Sequence, residues 1–391
     1  LKKHLLCTSA IIGCAMAAPA TAQEWDLTWG GFMNQHIAFA DVSDDTVVGD
    51  DRDGVVFHSN TEIHFTPSVT LDNGLTFGIN VQMEGENNGG GAIGIDETYM
   101  SISSDTFGRI DIGSENSAGY KMMVAAPGVT SMFINSPSIS TFIPLSNVLP
   151  WNFRQAGLSA YTEVAGNNDV DRLTYYSPSF NGLTVGVSYA RNNLGNAVTS
   201  SNNNGGAGTV EDIFDIGVAY SQTFGSTSID VAGRFGTGDR STIPGVPAIV
   251  GPPPVAAIPA IAGGTMETWG IGAQVGFADF TIGGHYAEND NGFVAGFGDQ
   301  SGWSIGGTYD MAGPWAFEAL AFFGEYNNTG TPIGGVLTDE EYTAYRIGAS
   351  RDLGPGVDWD IYAIFAEGDD KGTAGTEVSG TVLGTAINLS F

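Results

Sequence analysis

Apolar and polar residues alternate with a period of two along most of the chain. Leu75, Phe77, Ile79, Val81 and Met83 fall on one face, and Thr76, Gly78, Asn80, Gln82 and Glu84 on the other. Such a period predicts a β-strand with one apolar side. The pattern returns in Leu183–Arg191, in Val357–Glu367 and at the C-terminal end, where Leu383, Thr385, Ile387, Leu389 and Phe391 share a side. About 16 such segments are predicted between Leu27 and Phe391, among them Val55–Leu71 and Thr227–Phe235. Their connections alternate. Asp72-Asn73-Gly74, Ser104–Gly108, Pro178–Gly182, Phe224–Ser226, Ala278–Asp279, Asp310–Pro314 and Asp352–Gly356 are short; the stretches between them, such as Ala40–Gly54 and Gly236–Thr265, are longer.

An even number of strands with tight turns at one end and long loops at the other is the plan of a transmembrane antiparallel β-barrel. Phe77, Phe107, Phe180, Phe224, Phe277, Phe280 and Trp315 lie near the short turns and suit an interfacial aromatic belt. A membrane-spanning helix is excluded, because the longest apolar candidate, Ile243–Ala262, is broken by prolines. A soluble sandwich would also alternate, but its outward polar face needs charge, and here that face is mostly Thr, Ser, Asn and Gly.

Composition sharpens this picture. The 391 residues carry 43 acids against 13 bases, yet only 14% of residues are charged. Such an acidic chain does not suit nucleic acid and attracts cations. Leu1–Ala22 reads as a signal peptide, with Lys2 and Lys3, the apolar Leu5–Ala18 and the small-residue site Ala20-Thr21-Ala22. Residues 23–391 are then the barrel. Both cysteines, Cys7 and Cys14, fall in the signal, so thiol chemistry is excluded from the mature chain. A lipoprotein box at Ile11–Cys14 is the rival cleavage reading.

The stretch Ser114–Val170 breaks the pattern. It is expected to fold inward as a constriction loop. Ser117 is placed to cap a short helix with Tyr120, Met123 and Val124 on one face, stopped by Pro127-Gly128. An apolar knot of Phe142, Ile143, Leu145, Leu149, Pro150, Trp151 and Phe153 would be costly in solvent, and either the inner wall or a subunit contact would cover it.

At Ser59–Gly113 the chain resembles the general Gram-negative porins, nearest to the alphaproteobacterial, Rhodobacter-like branch. The matching pieces are Ser-Asn-Thr-Glu-Ile-His-Phe, Asp-Asn-Gly-Leu-Thr-Phe-Gly, Glu-Thr-Tyr-Met-Ser-Ile-Ser and Phe-Gly-Arg-Ile-Asp-Ile-Gly. The terminal Phe391 looks like the signal read by outer-membrane assembly machinery. The resemblance implies an outer-membrane homotrimer of barrels passing small hydrophilic solutes and ions. It also implies a transverse field, with wall bases facing loop acids. Here the loop and its flanks offer Glu115, Glu163 and Asp169 but also Lys121 and Arg154; the wall offers Arg109, Asp111 and Arg172, with Glu62 and Glu84 where the family often has arginine. That departure favours cations.

Other chemistry is thin. His36, His58 and His64 fall on the inward face, as single histidines or as a conceivable metal site. Asp41, Asp44, Asp45, Asp50, Asp51 and Asp53 could bind calcium or bridge through divalent cations to lipopolysaccharide. No catalytic constellation is visible, so an enzyme is not expected. A diffusion pore, a substrate-specific channel and a non-conducting structural or adhesion barrel are the three readings to separate.

Overall fold

The computed structural model describes residues 24–44, 52–87, 94–132, 142–143, 163–164, 169–195, 206, 208–245, 247, 257, 260, 262–290, 299–327, 340–370 and 377–391. The strands are β1 (Trp29–Asp44), β2 (Gly54–Phe65), β3 (Ser68–Thr70), β4 (Thr76–Asn87), β5 (Ile95–Ser104), β6 (Gly108–Glu115), β7 (Val170–Tyr176), β8 (Leu183–Gly195) and β9 (Val210–Phe224). They continue with β10 (Thr227–Arg240), β11 (Thr265–Phe277), β12 (Phe280–Asp290), β13 (Asp299–Asp310), β14 (Trp315–Asn327), β15 (Glu340–Gly354), β16 (Val357–Asp370) and β17 (Val378–Ser390). One short helix, α1 (Ala118–Met122), lies between β6 and β7.

Each strand pairs antiparallel with its sequence neighbour, and β1 pairs with β17, so the sheet closes. β2 and β3 both pair with β4 and form one wall strand, giving the sixteen predicted from the alternation. The predicted segment Val55–Leu71 is interrupted at Pro67, which has no N–H to give to the ladder. Its carbonyl still accepts from Ile79. Several strands run further toward the long loops than alternation suggested: β10 continues through Gly236–Arg240, where the residues are polar but the backbone ladder to β9 and β11 persists. At the seam, Phe391 and Gly31 exchange backbone hydrogen bonds, both 3.2 Å.

The apolar face points outward. Ile79, Leu183, Ile271, Ile305, Ile347 and Leu383 are all exposed, whereas their neighbours Asn80, Ser304 and Arg346 are buried on the inner side. Outward aromatics form two belts. Phe180, Phe224, Phe277 and Phe280 ring the short-turn end. Toward the long loops lie Tyr189 with Phe214, Trp269 with Tyr286, and Trp303 stacked on Phe323 at 4.2 Å. From Phe277 to Trp269 the strand advances about 26 Å at ~3.3 Å per residue, which a tilted strand needs to cross an apolar band.

The inner wall is not uniformly polar. Leu320, Phe322, Tyr342, Ile364, Val378 and Val382 point inward and are buried. They pack with Met132, Phe142 and Ile143 of the long loop, so these loop residues fold into the barrel. That places two residues of the predicted knot inside; 144–162, with the rest of the knot, lie outside the described residues.

Candidate functional site: the loop-lined lumen

Residues 116–132 run along the inner wall, and side chains of β8, β9, β11, β14 and β16 hold their backbone. Ser117 caps α1 by accepting from Tyr120 N–H at 3.2 Å, as its position before the helix predicts. Its own N–H donates to Glu163 at 2.5 Å. Ala118 N–H donates to Ser188 Oγ on β8 at 3.1 Å, and Gly119 N–H to Asp215 Oδ1 on β9 at 2.6 Å. Further on, Gln274 of β11 donates to the Ala125 carbonyl at 2.8 Å. Val129 and Thr130 N–H both donate to Glu318 Oε2 on β14, at 2.6 and 3.2 Å. Ser131 donates through N–H and Oγ to Asp360 Oδ2 on β16, at 2.8 and 3.0 Å.

A buried backbone N–H without a partner costs about 1–3 kcal/mol, so each acceptor weighs in holding this path. Burying the carboxylates themselves is costly unless they are paired. Arginines do this: Arg234 bonds Asp215, and Arg346 reaches Glu318 at 2.7 Å. The loop also needs room. A Cβ on Gly272 of β11 would stand 1.8 Å from the Val124 carbonyl oxygen, and one on Gly119 would stand 2.2 Å from Asp215 Oδ1. Glycine at both places lets backbone approach wall.

The predicted site residues fall into three groups. In the first, Glu163 and Arg172 are buried and face each other at 3.6 Å, at the root of the loop. Asp169 stands beside them in a left-handed conformation (φ 53°), and its carbonyl accepts from Ser114 Oγ at 2.5 Å. In the second, Lys121 bonds the buried Glu115 at 2.5 Å, lies 3.8 Å from Glu97 and sits over the Tyr99 ring at 4.6 Å. Burial works against the Lys121 charge, but Glu115, Glu97 and Tyr99 outweigh it and hold the ammonium above its ordinary range. Arg109 bonds Asp111 at 2.6 Å and also approaches Tyr99, at 5.8 Å. In the third, Glu62 and Glu84 are opposite each other on β2 and β4, and Asp96 joins them, with one oxygen from each within 4.8 Å of the others. His64 Nε2 lies 2.8 Å from Glu62. Arg154 lies outside the described residues, as do 45–51 of the acidic first long loop.

Four residues on the inward face have a role that alternation alone did not distinguish: Asp215, Arg234, Glu318 and Arg346 are covered by the loop rather than facing open lumen. The available signal was the inward apolar run on neighbouring strands, which only a packed loop explains. The histidines split as well. His64 sits with Glu62, whereas the His36 and His58 rings lie tilted at 5.3 Å, with Phe142 edge-on to His58 and His36 Nδ1 3.0 Å from the Tyr362 hydroxyl.

The sequence profile of the Gram-negative porins matches residues 8–373. The chain belongs to the Gram-negative porin family. It is an outer-membrane channel built on a multi-pass β-barrel, and not an enzyme. No curated protein matches its sequence. Among solved structures, the porin is similar to OmpT of Vibrio cholerae in its trimer form, at 13% identity and a TM-score of 0.60 over 94% of this chain and 99% of that one. It is also similar to an anion-selective porin from Comamonas acidovorans, at 16% identity and 0.58 over 94% and 100%. Salmonella typhi OmpF in complex with daunomycin gives 14% identity and 0.58 over 94% and 98%. At such identities the likeness concerns the fold.

Proposed function

We propose that this porin is a diffusion pore for small hydrophilic solutes and ions that prefers cations, with the loop at 114–170 as its constriction. The observation that carries the preference is the Glu62–Glu84–Asp96 group on the inner wall. Inward arginines do not offset it from nearby: Arg172, Arg234 and Arg346 are held by Glu163, Asp215 and Glu318 beneath the loop. Lys121 and Arg109 are matched by Glu115 and Asp111. Clustered carboxylates in a low-dielectric channel concentrate cations over anions. A planar bilayer with a tenfold KCl gradient tests this: the reversal potential should take the sign of potassium permeation, and an anion sign defeats the reading. Silence from folded protein would favour a non-conducting barrel, and saturable block by one solute a specific channel.

The porin is further proposed to act as a homotrimer, as the Vibrio OmpT structure is described. Support comes from an outward polar pair on β1 and β2: Ser59 Oγ donates to Gln35 at 2.7 Å, and Gln35 to the His58 carbonyl at 3.2 Å. Polar side chains on an otherwise apolar outward face suit protein contact better than lipid. Calcium held by the acidic outer loops, with Asp41 and Asp53 at the described margins, and divalent bridging to lipopolysaccharide complete the proposal. Calcium titration of the purified porin, read by calorimetry, tests that part.

A further inference from the structure

Outside the barrel, β14 to β17 form a shallow trough. Along one row the outward residues are Phe317, Ala349, Ile361 and Thr385, in register, followed by Ile37 of β1. In the next row Ile347, Ala363 and Leu383 are aligned. Ala349 and Ala363 are small enough to make a floor between taller side chains. The resulting apolar concavity has a volume of about 1120 Å³. Trp315 and Met311 line its end toward the short turns, and Arg351 and Trp359 continue the Trp315 row beside it.

Arg351 is the exceptional residue. The whole chain has 13 bases, and among the described residues Arg351 is the sole one on the outward face at this rim. Its guanidinium carbon lies 5.5 Å from the Trp315 ring centroid. No described carboxylate lies within ion-pair distance, and its Nε is shielded from solvent without a hydrogen-bond partner. Trp359 is fixed on the other side by donating to Thr385 Oγ1 at 2.7 Å. An arginine fork at the membrane interface with no protein anion is placed to bond an anion from its surroundings.

We infer that this trough is a binding site for one glycerophospholipid of the periplasmic leaflet, its phosphate on Arg351 and an acyl chain along the floor of Ala349 and Ala363. The geometry supplies both halves of such a ligand, a cation at headgroup depth and an apolar channel running from it toward the membrane centre. The outward strand face of a second copy offers Arg351 no anion. The outward residues that another barrel would present at this depth, such as Phe77, Tyr175, Leu183, Val275 and Ile282, carry no carboxylate. Arg351 is three strands from the Gln35–Ser59 pair, about 14 Å at ~4.8 Å per strand. The phosphate end would therefore lie clear of the proposed trimer contact, which the Ile37 edge of the trough borders, two residues from Gln35 on β1.

The test is native mass spectrometry of delipidated, folded porin mixed with dipalmitoylphosphatidylglycerol. One lipid should be retained per chain, and dipalmitoylglycerol, which lacks the phosphate, should not be. Arg351→Gln and Ala363→Phe should each lower retention at least tenfold, while Arg351→Lys keeps part of it. Ile271→Phe, on the outward face of β11, should retain lipid as the wild type does. Conductance should be unchanged in all four variants, which separates lost lipid from lost fold. Equal retention in Arg351→Gln overturns the inference. So does efficient disulfide linkage between copies of an Ala349→Cys variant, since the mature chain expected from the sequence has no other cysteine.

Discussion

Asp215 on β9 accepts the backbone N–H of Gly119 at 2.6 Å, joining wall to loop across 96 positions of the chain. The same carboxylate is bonded by Arg234, so its charge is balanced on the wall while its lone pairs hold the loop. Glu318 on β14 and Arg346 on β15 repeat the arrangement. In both, acid and base are neighbours within the sheet, and the loop contributes only neutral N–H groups. The pairs thus fix where the loop lies without adding net charge to the lumen.

Removing one of these acids should free the loop and strand a buried cation. Glu318→Ala leaves Arg346, 3% exposed, without its main counter-charge and three loop donors without an acceptor. Breaking such a buried pair costs about 3–5 kcal/mol. The variant is expected to unfold at lower temperature and to show noisier open-channel current. Glu318→Met with Arg346→Met should recover much of the stability but not the quiet current, because the loop acceptors are still missing. Thermal melts beside single-channel records check both halves; a quiet double variant defeats the assignment.

Gly119 makes a steric prediction. The new Cβ would meet Asp215 Oδ1, on a carboxylate whose other oxygen is bonded by Arg234, and the Arg234 Nε would stand only 3.0 Å from the same Cβ. Gly119→Ala should therefore push α1 toward the lumen, costing about 1–3 kcal/mol as overpacking and lowering conductance. Unaltered conductance in a correctly folded Gly119→Ala variant would place the pore's narrowest point elsewhere.

The fold was readable because a barrel wall obeys one rule at every strand, and that rule has a period of two. Leu75–Glu84 shows it without interruption, and the break at Pro67 is the kind of local chemistry that such a rule overlooks. The loop's landing was harder to read. Val382 beside Leu383, and Ile364 beside Phe365, are apolar on both faces of a strand. Read as alternation they blur the signal; read as burial they mark where the loop covers the wall. Ser117 was readable as a cap because capping is local. Asp215 and Glu318 looked like ordinary lumen charges, since nothing near them in the chain tells of donors 96 and 189 positions away.

Selectivity should follow the acids of β2 and β4. Glu62→Gln with Glu84→Gln removes two charges from the carboxylate group and leaves the latches on β9, β14 and β16 untouched. The cation-to-anion permeability ratio is expected to fall at least twofold, with little change in conductance at 1 M salt, where the Debye length is about 3 Å. The change should grow as salt is lowered. A ratio that does not move at 0.1 M KCl would transfer the preference to the loop mouths.

Lys121 gives the pore an alkaline limit. Its ammonium titrates above the ordinary 10.5, because Glu115, Glu97 and Tyr99 outweigh the burial that disfavours its charge. A base with a raised value in the folded state contributes its full stabilisation below pH 10.5, and the contribution is lost as pH rises through the higher folded value. Glu115, 0% exposed, then keeps its charge without the ammonium that bonds it at 2.5 Å. The loop root should loosen, and open-channel noise should rise only above pH 10.5. Lys121→Met should show that noise already at pH 7 and add little at high pH. A wild-type transition centred below pH 10.5, or a Lys121→Met channel as quiet as the wild type, would remove Lys121 from the control of the loop.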